Sequence, residues 1–331
     1  MARLAINGFG RIGRAAAKIA LDTPGFDLVA VNDLTDVETL VSLLRYDSVY
    51  GIYDKKIEIF NNSINIDSKK IHFYQEKEPK NLPWQALGID VVIESTGVFL
   101  TTEECSDHIS AGAKKVVMSA PAKDDQTPTY LIGVNEDQYQ DEKIISNASC
   151  TTNCIAPIIK ILNDKFGVKQ SLMTTIHSYT ADQNLVDGPH RDLRRARAAA
   201  INIVPTTTGA AKSVAKIIKD LDNKFDGLSI RVPTPIVSIA DIVAVLERPT
   251  TIEEINNEFE KISQGGLKNI LAVTDAPVVS SDFIGNEMSA IIDSSLTNVV
   301  GGNMIKVVAW YDNEWGYSKR LVEIASLISH S

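Results

Sequence analysis

Ile6-Asn7-Gly8-Phe9-Gly10-Arg11-Ile12-Gly13-Arg14 is the stretch from which the rest of the chain can be read. It follows a short apolar run at 3–7 and leads into an amphipathic one at 14–21, so its glycines sit at a strand-to-helix turn. Alone, G-x-G-x-x-G is a weak signal, because glycine-rich turns are common; its position gives it meaning. Gly8 permits the tight turn, Gly10 lets the backbone approach a pyrophosphate, and Gly13 lets helix and strand pack closely. The helix N-terminus then offers N–H donors and a partial positive charge. A second apolar run, 28–32, ends at Asp33, twenty positions after Gly13, where an acidic side chain accepts from an adenosine ribose. A carboxylate there repels a 2′-phosphate, so the expected cofactor is NAD rather than NADP.

Working outward, further short apolar runs at 91–95, 116–119 and 143–146 alternate with helix-like stretches at 37–44 and 102–111. This alternation predicts an α/β domain with a Rossmann-type, doubly wound parallel sheet over 1–149, the segment 49–74 being a hairpin insertion. Beyond it the pattern changes. A helix at about 151–166 is followed by longer β-branched runs at 171–179, 228–247, 289–293 and 304–311. A Thr251-x-x-Glu254 capping box opens another helix. Residues 150–315 are therefore expected to form an α+β catalytic domain on a mixed or antiparallel sheet. A C-terminal helix, about 316–331, is expected to pack back on the first domain.

Two domains also suit a chain of 331 residues. With 33 Lys+Arg against 42 Asp+Glu, the formal charge is −9, which argues against a general nucleic-acid partner. Three cysteines exclude a disulfide framework and suggest a reducing compartment. The first residues lack the apolar core of a signal peptide, and no run approaches the ~18 apolar residues of a membrane span. A cytoplasmic location without membrane association is expected, and no metal site.

Ser149-Cys150-Thr151-Thr152-Asn153-Cys154 lies just after a strand and heads an apolar-periodic helix. The dipole of that helix is expected to lower the Cys150 pKa and make it a nucleophile. Pro157, inside the helical pattern, suggests a kink or an irregular first turn. Cys105 and Cys154 read as small buried hydrophobes, although Cys154, one turn from Cys150, is also placed to trap an oxidised nucleophile. Of five histidines, only His177 lies in a strand-like run followed by polar residues, which makes it the candidate base. Thr208 and Gly209 precede a helix and suit an anion, and Arg231 in a strand calls for an anionic partner. The cluster Arg191, Arg194, Arg195, Arg197 reads either as a solvated or subunit-facing segment or as a phosphate-attracting wall.

Taken together, residues 6–14, 148–153, 194–199, 207–212 and 310–314 resemble the phosphorylating glyceraldehyde-3-phosphate dehydrogenase family over essentially the whole chain, most specifically at 148–153. The resemblance implies Cys150 as nucleophile and His177 as its base. It places Arg11, Ile12, Asp33, Lys77, Ser119 and Asn313 at the cofactor, with Asn313 on the nicotinamide carboxamide; Lys77 sits in a variable loop. It places Thr180 and Arg231, with Asp182 nearby, at the substrate's C3 phosphate. Ser149, Thr151, Thr208 and Gly209 fall at the inorganic-phosphate site, and Arg195 is a further substrate match. Leu34 and Pro189 accord with NAD. The implied reaction takes glyceraldehyde 3-phosphate to 1,3-bisphosphoglycerate through a thiohemiacetal and a thioester. The implied assembly is a homotetramer in which a loop at roughly 178–201 lines a neighbour's cofactor site. The related erythrose-4-phosphate dehydrogenases, which use water in place of phosphate, are the nearest alternative; a non-catalytic binding protein is a more distant one.

Overall fold

In the computed structural model, which describes residues 1–61 and 63–330, the chain divides into two compact units: Met1–Ala148 with the residues from Ser318 onward, and Ser149–Tyr317. In the first unit, β1 (Ala2–Asn7) and β2 (Phe26–Asn32) pair in parallel and are joined by α1 (Arg11–Asp22). Both strands are buried along nearly their whole length, as parallel strands covered by helices must be. Next come α2 (Val37–Arg45), capped by the Asp36 side chain, a short pair β3 (Tyr46–Asp47) and β4 (Gly51–Ile52), then β5 (Ile57–Phe60), β6 (Ser63–Ile66) and β7 (Lys69–Tyr74). The segment expected as a hairpin insertion is larger than that. β5, β6 and β7 form an antiparallel meander, and β7 pairs in parallel with β2, so the insertion widens the main sheet. The unit is completed by α3 (Trp84–Leu87), β8 (Val91–Glu94), α4 (Thr102–Ser110), β9 (Lys115–Met118) and β10 (Ile144–Ser146).

The resulting sheet has the order β10-β9-β8-β1-β2-β7-β6-β5. From β1 the chain first builds toward β2 and later continues on β1's other side with β8. The connections diverge between β1 and β8, which opens the crevice where open α/β sheets bind ligands.

The second unit begins with α5 (Cys150–Phe166), followed by β11 (Val168–Ser178), β12 (Val204–Thr207), α6 (Ala210–Ile217), β13 (Phe225–Val232) and β14 (Ser238–Leu246). It ends with α7 (Ile252–Gln264), β15 (Leu271–Thr274), β16 (Ala290–Asp293), β17 (Asn298–Val300) and β18 (Met304–Tyr311); the chain returns to the first unit within α8 (Trp315–Ser329). These strands form one mixed sheet, β12-β13-β11-β14-β18-β16-β15, with β17 beside β18. The pairs β11–β13 and β15–β16 are parallel and the others antiparallel.

Two sequence expectations need correction here. The run at 228–247 is two strands, because Pro233 and Pro235 interrupt the ladder between β13 and β14. Helix α5 starts at Cys150 and continues unbroken through Pro157, where burial on all sides outweighs the lost backbone bond. No helix among the described residues is long and apolar enough to cross a membrane.

Candidate active site

The glycine turn of the first unit is shaped by close contacts. Gly8 has φ +91°, and a Cβ there would lie 2.6 Å from the Thr96 nitrogen; one on Gly13 would lie 2.1 Å from the Gly8 oxygen. Neither position tolerates a side chain. A Cβ on Gly10, by contrast, would meet nothing within 4 Å, so the backbone there faces an open cradle. No side chain caps the N-terminus of α1, which begins at Arg11 and Ile12. An open cradle beside an uncapped helix start fits the pyrophosphate of a dinucleotide.

Asp33 closes the turn from the end of β2: its carboxylate accepts from the Phe9 N–H at 2.7 Å and the Thr35 N–H at 2.9 Å. The Arg11 guanidinium pairs with Asp47 at 2.9 Å and lies over the Tyr50 ring, so the side chain holds the first turn of α1 in place. Ser119 follows β9, its N–H bonded to the Glu94 oxygen, while Lys77 is exposed in the loop after β7. Asp33→Asn keeps an acceptor for Phe9 but removes the charge. We expect it to reduce the preference for NAD over NADP about tenfold or more, measured as the ratio of kcat/KM for the two cofactors.

In the second unit, Ser149 caps α5 by accepting from the Thr152 N–H at 3.1 Å, which sets Cys150 in the first turn. The preceding Ala148 is held at φ +52°, a left-handed conformation that an alanine adopts only under constraint. Cys150 Sγ lies 3.5 Å from His177 Nε2, on β11. The His177 Nδ1 is 2.7 Å from the Ser178 carbonyl oxygen. Burial, reinforced by the Arg231 charge, pushes His177 down to about 3, so the ring is neutral. Burial also raises the Cys150 thiol above its ordinary value, opposed by Arg231 and by hydrogen bonding to Thr151. The expected depression of the Cys150 pKa by the helix dipole is thus outweighed in the resting site. Cys105 and Cys154 are buried thiols raised further still, and all three cysteines are free.

Arg231 stands directly across from His177 in the parallel β11–β13 register. Its Nη1 is 2.9 Å from His177 Nδ1, 3.0 Å from the Ser178 oxygen and 3.5 Å from Thr180 Oγ1. Its Nε is buried without a hydrogen-bond partner among the described residues, and an anion could accept from it. Asp182 pairs with Arg195, which also donates to Thr206 Oγ1 at 2.9 Å and to the Thr207 oxygen at 3.1 Å. Thr208 and Gly209 lie at the start of α6, with Thr208 Oγ1 accepting from the Ala210 N–H. Cys150, Thr151, His177, Thr180 and Arg231 are brought together, while Thr208 and Gly209 stand apart from this contact set at the start of α6.

Several groups escaped the sequence reading. Tyr311 OH bridges Thr151 Oγ1 at 2.9 Å and Thr175 Oγ1 at 2.8 Å, and its ring meets His177 edge-on. Ser178 and Ser238 hydroxyls donate to Asn313 Oδ1 at 2.9 and 3.0 Å, which fixes the orientation of the buried amide and leaves its nitrogen as the donor end. Val237, beside Ser238, is at φ +64°, a genuine strain for a β-branched residue. In the first unit, buried Glu94 accepts from Asn7, from His108 and from both the N–H and hydroxyl of Thr96. Trp84 donates to His108 Nδ1, which leaves Nε2–H to face Glu94. The only sequence signal for this network was a carboxylate at the end of an apolar strand.

Comparison with known proteins accords with both units. Residues 2–102 match the glyceraldehyde 3-phosphate dehydrogenase NAD binding domain, and residues 149–313 match the C-terminal domain of the same enzyme. The chain is 50% identical over 329 residues to glyceraldehyde-3-phosphate dehydrogenase of Geobacillus stearothermophilus, covering 99% of this chain and 98% of that one. It is 50% identical over 333 residues to glyceraldehyde-3-phosphate dehydrogenase 2 of a Synechocystis species, covering 99% of each. It is 51% identical to the chloroplastic form A of Zea mays, covering 99% of this chain and 82% of that protein.

Proposed function

The chain belongs to the glyceraldehyde-3-phosphate dehydrogenase family and is an NAD-dependent oxidoreductase, and from this we propose that it oxidises glyceraldehyde 3-phosphate through a thioester on Cys150, with inorganic phosphate as the acyl acceptor. The observation that carries the proposal is the 3.5 Å approach of Cys150 Sγ to His177 Nε2 beside an arginine with an unpartnered, buried N–H.

The first unit is assigned to the cofactor, through Gly8, Gly10, Arg11, Ile12, Gly13, Asp33, Ser119 and Lys77, and the second to the chemistry. NAD supplies the hydride acceptor when bound, and Asn313 offers its amide to the carboxamide. Cys150 sulfur attacks the aldehyde carbon, giving a thiohemiacetal. With Nδ1 bonded to the Ser178 oxygen, His177 Nε2 takes the hydroxyl proton as the carbonyl of the thioester forms. Arg231 and Thr180 hold the substrate's phosphate, with Asp182 positioning Arg195 beside it. Ser149, Thr151, Thr208 and Gly209 serve the attacking phosphate. A thioester suits this last step because sulfur donates little to the carbonyl and leaves as a stable thiolate.

A homo-oligomer, by family a homotetramer, is part of the same reading. Leu185, Val186, Leu193, Ile201 and Ile203 stand 79, 72, 82, 80 and 71% exposed in one loop, and such apolar patches mark subunit contacts. A cytoplasmic location also belongs to it, since a nucleophilic thiol must stay reduced. The test is NADH formation from glyceraldehyde 3-phosphate with and without phosphate. We expect turnover to fall about 100-fold when phosphate is withheld, since bulk water is a poorly positioned acceptor. Turnover that ignores phosphate would instead favour hydrolysis of the thioester.

A further inference from the structure

The last residues of β8, β1 and β2 stand side by side in the first sheet: Glu94 is paired with Asn7, and Asn7 with Asn32. All three are buried, and their side chains bond in a row. Asn32 Nδ2 donates to Asn7 Oδ1 at 2.7 Å, and Asn7 Nδ2 donates to Glu94 Oε2 at 2.6 Å. A buried polar row of this kind is costly unless each member finds partners of the right sense. Here the sense is set at one end. The Trp84 indole can only donate, so His108 Nδ1 accepts from it and His108 Nε2–H donates to Glu94 Oε2 at 3.0 Å. The Thr96 N–H, at 2.8 Å, and the Thr96 hydroxyl donate to Oε1. Four donors thus converge on one carboxylate.

Each end of the row grips a segment at the carboxyl edge of the sheet. At the Glu94 end, Thr96 Oγ1 also accepts from the Val98 N–H at 3.1 Å, and the Ser95 hydroxyl donates to the Gly8 oxygen at 2.6 Å. The turn 95–98 is thereby folded against the glycine turn, with Thr96, Gly97 and Val98 exposed. A Cβ on Gly97, like one on Gly10, would meet nothing within 4 Å. At the other end, Asn32 clasps the Glu76 backbone, accepting from its N–H and donating to its oxygen, both at 2.8 Å. Lys77 follows directly. The carboxyl edge of the strands is where open sheets of this class hold their ligands.

We propose that Glu94 is a positioning residue for NAD: its carboxylate sets the direction of the Glu94–Asn7–Asn32 row, and the row holds the turn 95–98 and the segment 76–77 as walls of the cofactor crevice. This rests on the assignment of the first unit to NAD. It makes Glu94→Gln a disruptive change despite its shape. The glutamine oxygen still serves Thr96, but its NH2 meets the NH2 of Asn7 and the N–H of His108. Asn7 cannot turn over, because Asn32, locked on Glu76, presents a donor to the Asn7 oxygen. His108 cannot move its hydrogen, because Trp84 occupies Nδ1. Combining Asn7→Asp with Glu94→Gln repairs the row. The carboxylate at position 7 then accepts from Asn32 and from the new amide, and its second oxygen replaces an atom 3.4 Å from His108 Nε2. The single negative charge is kept.

Calorimetric titration with NAD reads the positioning without turnover. Glu94→Gln is expected to weaken NAD binding about tenfold or more, the effect of opposed buried donors. KM for NAD should rise alike, with kcat at saturating NAD within about threefold of wild type. The Asn7→Asp, Glu94→Gln double variant is expected to recover NAD affinity to within about threefold of wild type. Unchanged affinity in Glu94→Gln would overturn the proposal, and so would tighter binding, the result of merely removing a negative charge near the pyrophosphate. A double variant that binds no better than Glu94→Gln would overturn it too. Should Glu94→Gln not fold, Thr96→Val decides, since this exposed residue loses only the hydroxyl that Glu94 holds. A loss of about threefold or more in NAD affinity is expected there, and an unchanged affinity overturns the proposal. Failure of the cofactor assignment itself is separately visible, as a wild type that binds no NAD.

Discussion

Cys150→Ser is expected to abolish NADH formation while leaving NAD binding within a few-fold of wild type. The site gives the reason. His177 Nε2, 3.5 Å from the sulfur, is a weak base held down to about 3 by burial and Arg231, so it cannot ionise an alcohol. The Cys150 thiol, even raised by burial, is far more acidic than an alcohol, so only the thiol can yield its proton to the ring. Any ester that did form would be less open to phosphate than the thioester. We expect a loss of about 10⁴-fold or more in kcat/KM, or about 5–6 kcal/mol of transition-state stabilisation. Absorbance of NADH and calorimetric titration with NAD measure the two halves. A serine enzyme retaining a tenth of wild-type activity would remove Cys150 from the role of nucleophile.

His177→Asn should be slow rather than dead. General acid–base assistance contributes roughly 10²–10⁴-fold in rate, so kcat is expected to fall by that much with KM little changed. Alkylation of Cys150 at neutral pH should slow in parallel, because the thiol loses its nearest proton acceptor. The same substitution has a signature in stability. Histidine ordinarily titrates near 6.5, while His177 in the fold does so at about 3. The unfolded chain therefore binds this proton first. The stability contributed by the neutral buried ring is full above about 6.5 and is lost as pH falls toward 3. His177→Asn is expected to flatten that part of the acid-unfolding curve, measured by circular dichroism. An unchanged kcat with an unchanged alkylation rate would dissolve the pairing.

How far the site could be read in advance depended on whether its parts were neighbours in sequence. The dinucleotide turn was legible because Gly8, Gly10 and Gly13 act within a single turn, each through its own backbone. Cys150 was legible for the same reason: its cap, Ser149, and its helix are contiguous with it. The meander β5–β6–β7 was read too small, since whether a hairpin joins a larger sheet depends on a distant edge, here β2. The buried Glu94–His108–Trp84 network was not legible at all, because its members are spread along the chain from Asn7 to His108 and meet only across strands.

The sequence by itself determined the fold class, the cofactor turn with its acidic partner, and a nucleophile at a helix start. Those features are local, and local sterics and hydrogen bonding fix them wherever the chain goes. Only the tertiary structure decided that His177 meets Cys150, that Arg231 stands opposite His177, and that Tyr311 ties Thr151 to Thr175. It also decided the protonation of the pair, since the same burial that lowers His177 raises Cys150. These outcomes depend on strand register between segments far apart in the chain and on the water that packing excludes. Neither is written in any single stretch of residues.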